Sequence, residues 1–123
     1  MPEAAILGVG AYRASRVVPN ADIVDAIDST DEWIQQRSGI VERRFATDEE
    51  SVPMMGRESA ARALAEAGID ASQVDCVIVA TVSHLLQTPA AATMIAYELG
   101  TNGAAAFDIS AACAGFCYGV AMG

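Results

Sequence analysis

The sequence contains no lysine, and its seven arginines face sixteen acidic residues, which gives a net charge of −9. This imbalance argues against a nucleic-acid-binding protein, which needs a basic face, and against adsorption to anionic lipid. The longest apolar runs, such as residues 76–82, are far shorter than the ~20 residues of a membrane-spanning helix. The N-terminal Met1-Pro2-Glu3 also lacks the basic residues of a signal peptide.

Cysteine is equally scarce, since there are three, an odd number without the paired spacing of a disulfide framework. We therefore expect a cytoplasmic protein, with Cys76 and Cys117 as buried thiols. A Cys113–Cys117 redox or metal pair is conceivable, but no second cluster of ligands supports it, so no metal is expected. Apolar residues are abundant at 53%, which predicts that residues 1–123 form one globular domain or part of one.

Apolar runs and helix signals alternate along the chain. Residues 4–9, 76–82 and 104–110 are apolar without alternation, which predicts strands buried inside a sheet. We predict helices at residues 21–27, 51–67 and 89–99 and after Cys113, and an exposed strand or loop at residues 41–48. This alternation predicts a layered α/β fold with a largely parallel sheet.

Polar residues that favour helix starts precede three of the helices. Asn20 is the predicted N-cap of the first helix. Residues 29–32 (STDE) have the capping-box spacing and predict a further helix that ends just before Gly39. Thr88, followed by a proline, is typical of an N-cap.

The chain ends at Gly123, inside the helix predicted after Cys113. A helix without a C-terminal cap, beside a sheet of three or four strands, indicates an incomplete unit. We therefore expect polypeptide outside these residues to complete the sheet.

Cys113 lies between a predicted strand and a predicted helix, where the turn exposes a side chain at the end of the sheet. This exposure and the positive end of the helix dipole favour the thiolate, which is the nucleophile. The small residues around it let the backbone turn tightly, and the N–H groups of the turn are candidates for an oxyanion hole. A buried structural cysteine is the alternative interpretation of the same pattern.

Four segments carry motifs in a defined order. They are residues 8–12 (GVGAY), 28–34 with 37–40 (DSTDEWI and RSGI), 80–89 (ATVSHLLQTP) and 108–116 (DISAACAGF). Together they resemble the N-terminal part of β-ketoacyl-acyl-carrier-protein synthase III, a condensing enzyme of the thiolase superfamily, in an actinobacterial form. The resemblance implies the N-terminal portion of a thiolase-like layered α-β-α fold with an incomplete sheet. It also implies a homodimer with residues 104–110 near the two-fold axis.

The resemblance implies an acyltransferase that starts fatty-acid or polyketide synthesis. Cys113 would take an acyl group from acyl-coenzyme A as a thioester, and the carbanion from decarboxylated malonyl-acyl-carrier protein would attack that thioester. The family's assisting His and Asn lie in its second half, whereas His84, the single histidine here, precedes the nucleophile. We therefore expect this chain to be inactive alone and His84 to hydrogen-bond to the backbone of its loop.

The resemblance also implies a coenzyme A site around Trp33. The indole would stack on the adenine, Arg37 would contact the nucleotide or its phosphates, and Ser29 would lie near the adenine. The structural alternatives are a core anchor for Trp33, a salt bridge for Arg37 and a helix cap for Ser29. No tightly bound cofactor is expected, because the coenzyme A thioester is a substrate.

Two residues are implied in acyl-chain binding. Thr88 would close the acyl pocket of the partner subunit, and Phe116 would line the substrate pocket. Because Thr88 is smaller than an aromatic residue, longer or branched acyl groups are expected to fit. Asp108, in an apolar strand, is predicted to have a hydrogen-bonded structural role.

Two other functions stay open on the sequence. One is an acyltransferase that delivers the Cys113 acyl group to an alcohol or amine, and the other is a non-catalytic fragment or subunit that needs a partner chain. A second chain that supplies His and Asn would favour the enzyme. Because acyl-carrier protein is acidic and the arginines here are scattered, we expect its docking surface to lie elsewhere.

Overall fold

The structure is a computed structural model that describes residues 3–101 and 103–123. The chain divides into two compact units, one formed by Arg13–Ser51 and the other by Met1–Tyr12 together with Val52–Gly123. Within the two described ranges, every helix is too short or too polar to cross a membrane.

The Arg13–Ser51 unit holds two short strands and one α-helix, α1 (Asp31–Ser38). β1 (Arg16–Pro19) pairs antiparallel with β2 (Glu42–Phe45), so of the two predicted alternatives for residues 41–48, an exposed strand or a loop, the structure has the strand. The helix predicted from residues 29–32 is also confirmed, and it ends at Gly39, which has a φ of +71°.

The helix cap differs from the sequence prediction at Ser29. Thr30 is the N-cap of α1, and its side chain accepts a hydrogen bond from the Trp33 N–H at 3.2 Å. Ser29 therefore does not cap α1, which was the structural alternative to a role at the coenzyme A site.

Asn20 does not cap a helix over residues 21–27, so that prediction is wrong. The segment forms a short 3-10 helix, Asn20–Asp22, followed by turns. The Asn20 side chain is buried and donates to an Asp31 carboxylate oxygen at 2.6 Å and to the Ile40 carbonyl at 2.8 Å. The Oδ1 atom, which would accept a capping bond, accepts instead from the Arg43 guanidinium, so it is not available to cap the following turn.

The pKa of the Asp31 carboxyl group should rise when Gln35 is replaced. The Gln35 side-chain amide donates to Asp31 at 2.9 Å, and together with the Asn20 bond it holds the pKa of Asp31 below its ordinary value of 3.8. Because the pKa is lower in the folded state, these bonds stabilise the fold fully at pH values above the unfolded pKa of 3.8. That stabilisation is lost as the pH falls through the lower pKa of the folded state. We expect Gln35→Ala to raise the pKa of Asp31, measured by an NMR titration of the carboxyl carbon.

The matched control for this titration is Gln36→Ala. Gln36 also donates across one helical turn, to Glu32 at 3.0 Å, but does not contact Asp31. An Asp31 pKa that shifts equally in both variants would contradict the assignment of the shift to Gln35.

The second unit contains a parallel strand pair and three helices. β3 (Cys76–Ala80) and β4 (Ala105–Ile109) are joined through α3 (Ala91–Leu99), which packs on both strands. The other helices are α2 (Val52–Ala67), which packs on α3, and α4 (Gly115–Met122), which packs on β3. These elements confirm the predicted α/β alternation, but the described residues give the parallel sheet two strands, not three or four.

The predicted strand at residues 4–9 is not formed in the described part of the chain. Its apolar side chains are exposed, with Ile6 80% and Leu7 66% accessible. The segment lies along α2, where the Val9 N–H donates to a Glu66 carboxylate oxygen at 2.8 Å. An apolar run becomes a strand only where another strand pairs with it, and among the described residues no strand pairs with this segment.

Candidate active site

Cys113 lies in a tight turn between β4 and α4. The turn is a short 3-10 helix, Ala112–Ala114, that leads directly into Gly115 at the start of α4. Ala112 has a φ of +45°, a left-handed conformation that costs a non-glycine residue about 1–3 kcal/mol and is typical of functional sites. The turn leaves Cys113 exposed at the carboxyl end of a parallel strand.

Two N–H groups of this turn are already engaged. The Ala114 N–H donates to the Ala111 carbonyl at 3.0 Å, and the Gly115 N–H donates to Ala112. An oxyanion hole at Cys113 therefore has to use other donors.

An apolar pocket of about 200 Å³ lies beside the turn. It contains the predicted substrate-pocket residue Phe116, which is 76% exposed. Its lining residues come from β3 and α4 and are Ile78, Ala80, Gly115, Phe116, Gly119 and Val120. The structure thus places Phe116 with Cys113 on one strand-to-helix connection, while Thr88 is not part of this lining.

Thr88 is exposed in the loop of residues 81–90 and does not cap α3, so that prediction is wrong. The helix begins two residues after the proline, at Ala91, and its N-cap residue Ala90 offers no side-chain hydrogen bond. Asp108 of β4 supplies the cap instead, accepting from the Ala91 and Ala92 N–H groups at 2.8 Å each. This confirms the hydrogen-bonded role predicted for Asp108, although the sequence gives no sign of its distant partners.

His84 belongs to the same loop. Its Nε2 lies 3.2 Å from the Pro89 carbonyl oxygen. The predicted backbone hydrogen bond of His84 is therefore confirmed, and the ring ties one end of the loop to the other.

Trp33 and Ser29 line a second pocket, within the Arg13–Ser51 unit. It measures about 330 Å³ and is formed by residues 27–30 and Trp33. The indole is 55% exposed, so Trp33 is not a core anchor. The Arg37 guanidinium carbon lies 5.7 Å from the centroid of the indole ring. The three residues predicted to bind coenzyme A thus come together on one side of α1, with an aromatic face and a cation beside a shallow apolar pocket.

The prediction that Cys76 and Cys117 are buried is wrong, because both are exposed. Cys76 is the first residue of β3, and Cys117 lies in the first turn of α4. Among the residues that the structure describes, no group of three His, Cys, Asp or Glu side chains is placed to hold a metal ion.

Comparison with known proteins relates the chain to one enzyme family. It is 61% identical over 121 residues to β-ketoacyl-[acyl-carrier-protein] synthase III of Streptomyces glaucescens, an alignment that covers 98% of this chain and 36% of the relative. Over nearly its whole length, the chain is therefore similar to β-ketoacyl-[acyl-carrier-protein] synthase III. No family model matches the sequence.

Solved structures show the synthase III fold directly. The priming β-ketosynthase of the R1128 polyketide biosynthetic pathway superposes with a TM-score of 0.90 at 45% identity, covering 95% of this chain and 35% of that one. The 3-oxoacyl-[acyl-carrier-protein] synthase III of Aquifex aeolicus VF5 gives 0.87 at 40% identity, over 95% and 38% of the two chains. The chain spans about a third of the length of these synthase III relatives and forms part of their layered α/β fold.

Proposed function

We propose that the protein carrying this chain is a condensing acyltransferase of fatty-acid or polyketide synthesis, with Cys113 as its nucleophile. The observation that carries the proposal is the left-handed turn at Ala112, which holds an exposed cysteine at the end of a parallel strand. The similarity to synthase III of Streptomyces glaucescens and the name of the R1128 relative support the same class of reaction.

The proposed reaction has two steps. The Cys113 thiolate attacks the thioester carbonyl of an acyl-coenzyme A, coenzyme A leaves as its thiolate, and the acyl group remains on Cys113. Malonyl-acyl-carrier protein then loses carbon dioxide, and its carbanion attacks the Cys113 thioester to give a β-ketoacyl product and free Cys113. Because His84 is bonded to its own loop, the groups that assist decarboxylation are proposed to come from outside this chain.

The first step is tested by the intact mass of the protein before and after incubation with acetyl-coenzyme A and with longer acyl-coenzyme A substrates. We expect a mass increase equal to the acyl group, mapped to Cys113 by peptide analysis. The longer substrates should also react, because Thr88 is small and the pocket at Phe116 is apolar and open. An unmodified protein would contradict the proposed nucleophile, and an adduct from acetyl-coenzyme A alone would contradict the proposed chain length.

We propose that coenzyme A binds beside α1, with Trp33 stacked on the adenine, Arg37 near its phosphates and Ser29 beside the ring. The exposed indole and the guanidinium above it are the support for this site. We also propose a homodimer through residues 104–110, since within the described ranges β4 pairs with β3 alone and its other edge is open to a partner.

Trp33→Ala is expected to weaken coenzyme A binding. Loss of one base–aromatic stack costs ~1–3 kcal/mol, which corresponds to a rise in Kd of about 5- to 150-fold. Isothermal titration with coenzyme A measures this change.

Phe45→Ala provides the matched control. Arg16 lies 5.9 Å from the Phe45 ring centroid, so this is a second arginine–aromatic pair in the same unit, away from the Trp33 pocket. A Kd that changes equally in both variants would contradict a specific adenine site at Trp33.

A further inference from the structure

Asp108 connects β4 to the start of α3 through both of its carboxylate oxygens. Oδ2 accepts from the Ala91 N–H and Oδ1 from the Ala92 N–H, both at 2.8 Å. These two alanines are fully buried, so water cannot replace the carboxylate as their partner. The start of α3 therefore depends on a residue of the strand that leads to Cys113.

The next residue of β4 holds the other end of the same loop. The Thr81 N–H donates to the Ile109 carbonyl at 3.1 Å, directly after β3 ends. The loop of residues 81–90 is thus bonded at both ends to two consecutive residues of β4, Asp108 and Ile109.

The turn that holds Cys113 starts from the same place. Because β3 and β4 are parallel, the loop that follows β3 and the turn that follows β4 leave the sheet at one edge. The start of α4 also meets the end of β3, since a Cβ on Gly115 would lie 3.2 Å from the Ala80 Cβ. A shift of α3 away from Asp108 would therefore move the loop relative to the Cys113 turn.

We propose that Asp108 is a positioning residue that sets the clearance between the loop of residues 81–90 and the sulfur of Cys113. A narrower or wider clearance would also limit the length of the acyl chain on Cys113, and this part of the proposal rests on the proposed function. The effect of Asp108 on access to the sulfur does not depend on that function. The carboxylate acts through the N–H groups of α3 and contacts no reacting atom.

The test compares the access of short and long alkylating reagents to Cys113 in the whole protein that carries this chain. Alkylation rates with iodoacetamide and with N-octyl iodoacetamide are measured by peptide mapping for the wild type and for Asp108→Asn. The substitution keeps the shape of the side chain but turns an NH₂ group toward one of the two helix N–H groups. We expect the long-to-short rate ratio at Cys113 to change several-fold. The Ala91 and Ala92 amides should exchange hydrogen about tenfold faster, because one of these buried N–H groups loses its acceptor. The ratio at Cys76, at the opposite edge of the sheet, should stay constant.

Asp70→Asn is the matched control, because Asp70 also caps a helical turn in this unit. It accepts from the Ser72 N–H at 2.9 Å and lies on the exposed turn before β3. We expect it to leave the ratio at Cys113 unchanged. Should Asp108→Asn not fold, Asp108→Ser, which keeps one capping oxygen, replaces it in the same comparison.

Two outcomes would overturn the proposal: an unchanged ratio at Cys113 in the Asp108 variant, or an equal change at Cys113 and Cys76. Acylation of the wild type by acyl-coenzyme A is measured in parallel. Its failure would reject the proposed function, while the alkylation ratio would still decide the role of Asp108.

Discussion

Replacing Cys113 with serine is expected to abolish the acyl adduct. A serine hydroxyl without an activating base is a far weaker nucleophile than a thiolate, so acyl transfer from acyl-coenzyme A should fall by at least about a thousandfold. The exchange alters a single atom of an exposed side chain, so the turn at Ala112 should keep its conformation. Intact mass spectrometry after incubation with the substrate measures the loss.

The chain offers two matched controls for this substitution. Cys76 and Cys117 are exposed thiols like Cys113, and serine at either position should leave the adduct in place. If the adduct survived in Cys113→Ser and disappeared in Cys117→Ser, the nucleophile would lie four residues further along the chain, in α4, and the proposed role of Cys113 would be wrong.

Gly10→Ala is expected to lower the free energy of unfolding strongly. A Cβ at this position would lie 2.0 Å from the Ser59 carbonyl oxygen and 2.5 Å from the Ala63 nitrogen, both backbone atoms of α2. Because the helix backbone cannot give way, the N-terminal segment has to lift from it and lose bonds such as the one between Val9 and Glu66. Overpacking of this kind costs about 1–3 kcal/mol, which a denaturant titration of the protein measures.

Gly119→Ala is the control for a methyl group added in the same unit. Its Cβ would lie 3.8 Å from the Ile109 side chain, an ordinary van der Waals contact, and alanine favours the interior of α4 more than glycine does. We expect its stability to equal or exceed that of the wild type. Equal losses in the two variants would show that the contact with α2 is not the cause.

Local signals predicted several elements well. The helix after residues 29–32 follows from a polar cap and a glycine stop that lie within one short stretch of sequence. The strands at residues 76–82 and 104–110 follow from continuous apolar runs, and both appear within one or two residues of the predicted limits. Each of these signals depends on neighbours in the chain, which the sequence displays directly.

The predictions that were wrong depend on partners distant in sequence. Asn20 and Thr88 each have the chemistry of an N-cap, but the capping oxygen of Asn20 accepts from Arg43, and Asp108 takes the place predicted for Thr88. The run at residues 4–9 has the composition of a strand, yet it lies along α2. Composition shows what a residue can bond to, and only the fold shows which partner reaches it.

The candidate site was predictable to the extent that it is local. The sequence around Cys113 predicted a strand, a tight turn and a helix, and the structure contains all three in that order. The left-handed backbone at Ala112 could not be predicted, because alanine carries no preference for that conformation. The grouping of Ser29, Trp33 and Arg37 follows from helical spacing, which places Trp33 and Arg37 one turn apart.

The loop of residues 81–90 owes its attachment to acceptors outside itself. Thr81 and Ala91 bond through their backbone N–H groups, which every amino acid except proline provides. The side chains between them are largely exposed, and Leu85 is 95% accessible. Apart from His84, whose ring is bonded to the Pro89 carbonyl, most residues between 82 and 88 should therefore tolerate substitution with little effect on folding. This stretch can then be exchanged for another of equal length that keeps the histidine. The elements to which the loop is bonded, β3, β4 and α3, would keep their positions while the surface of the loop changes.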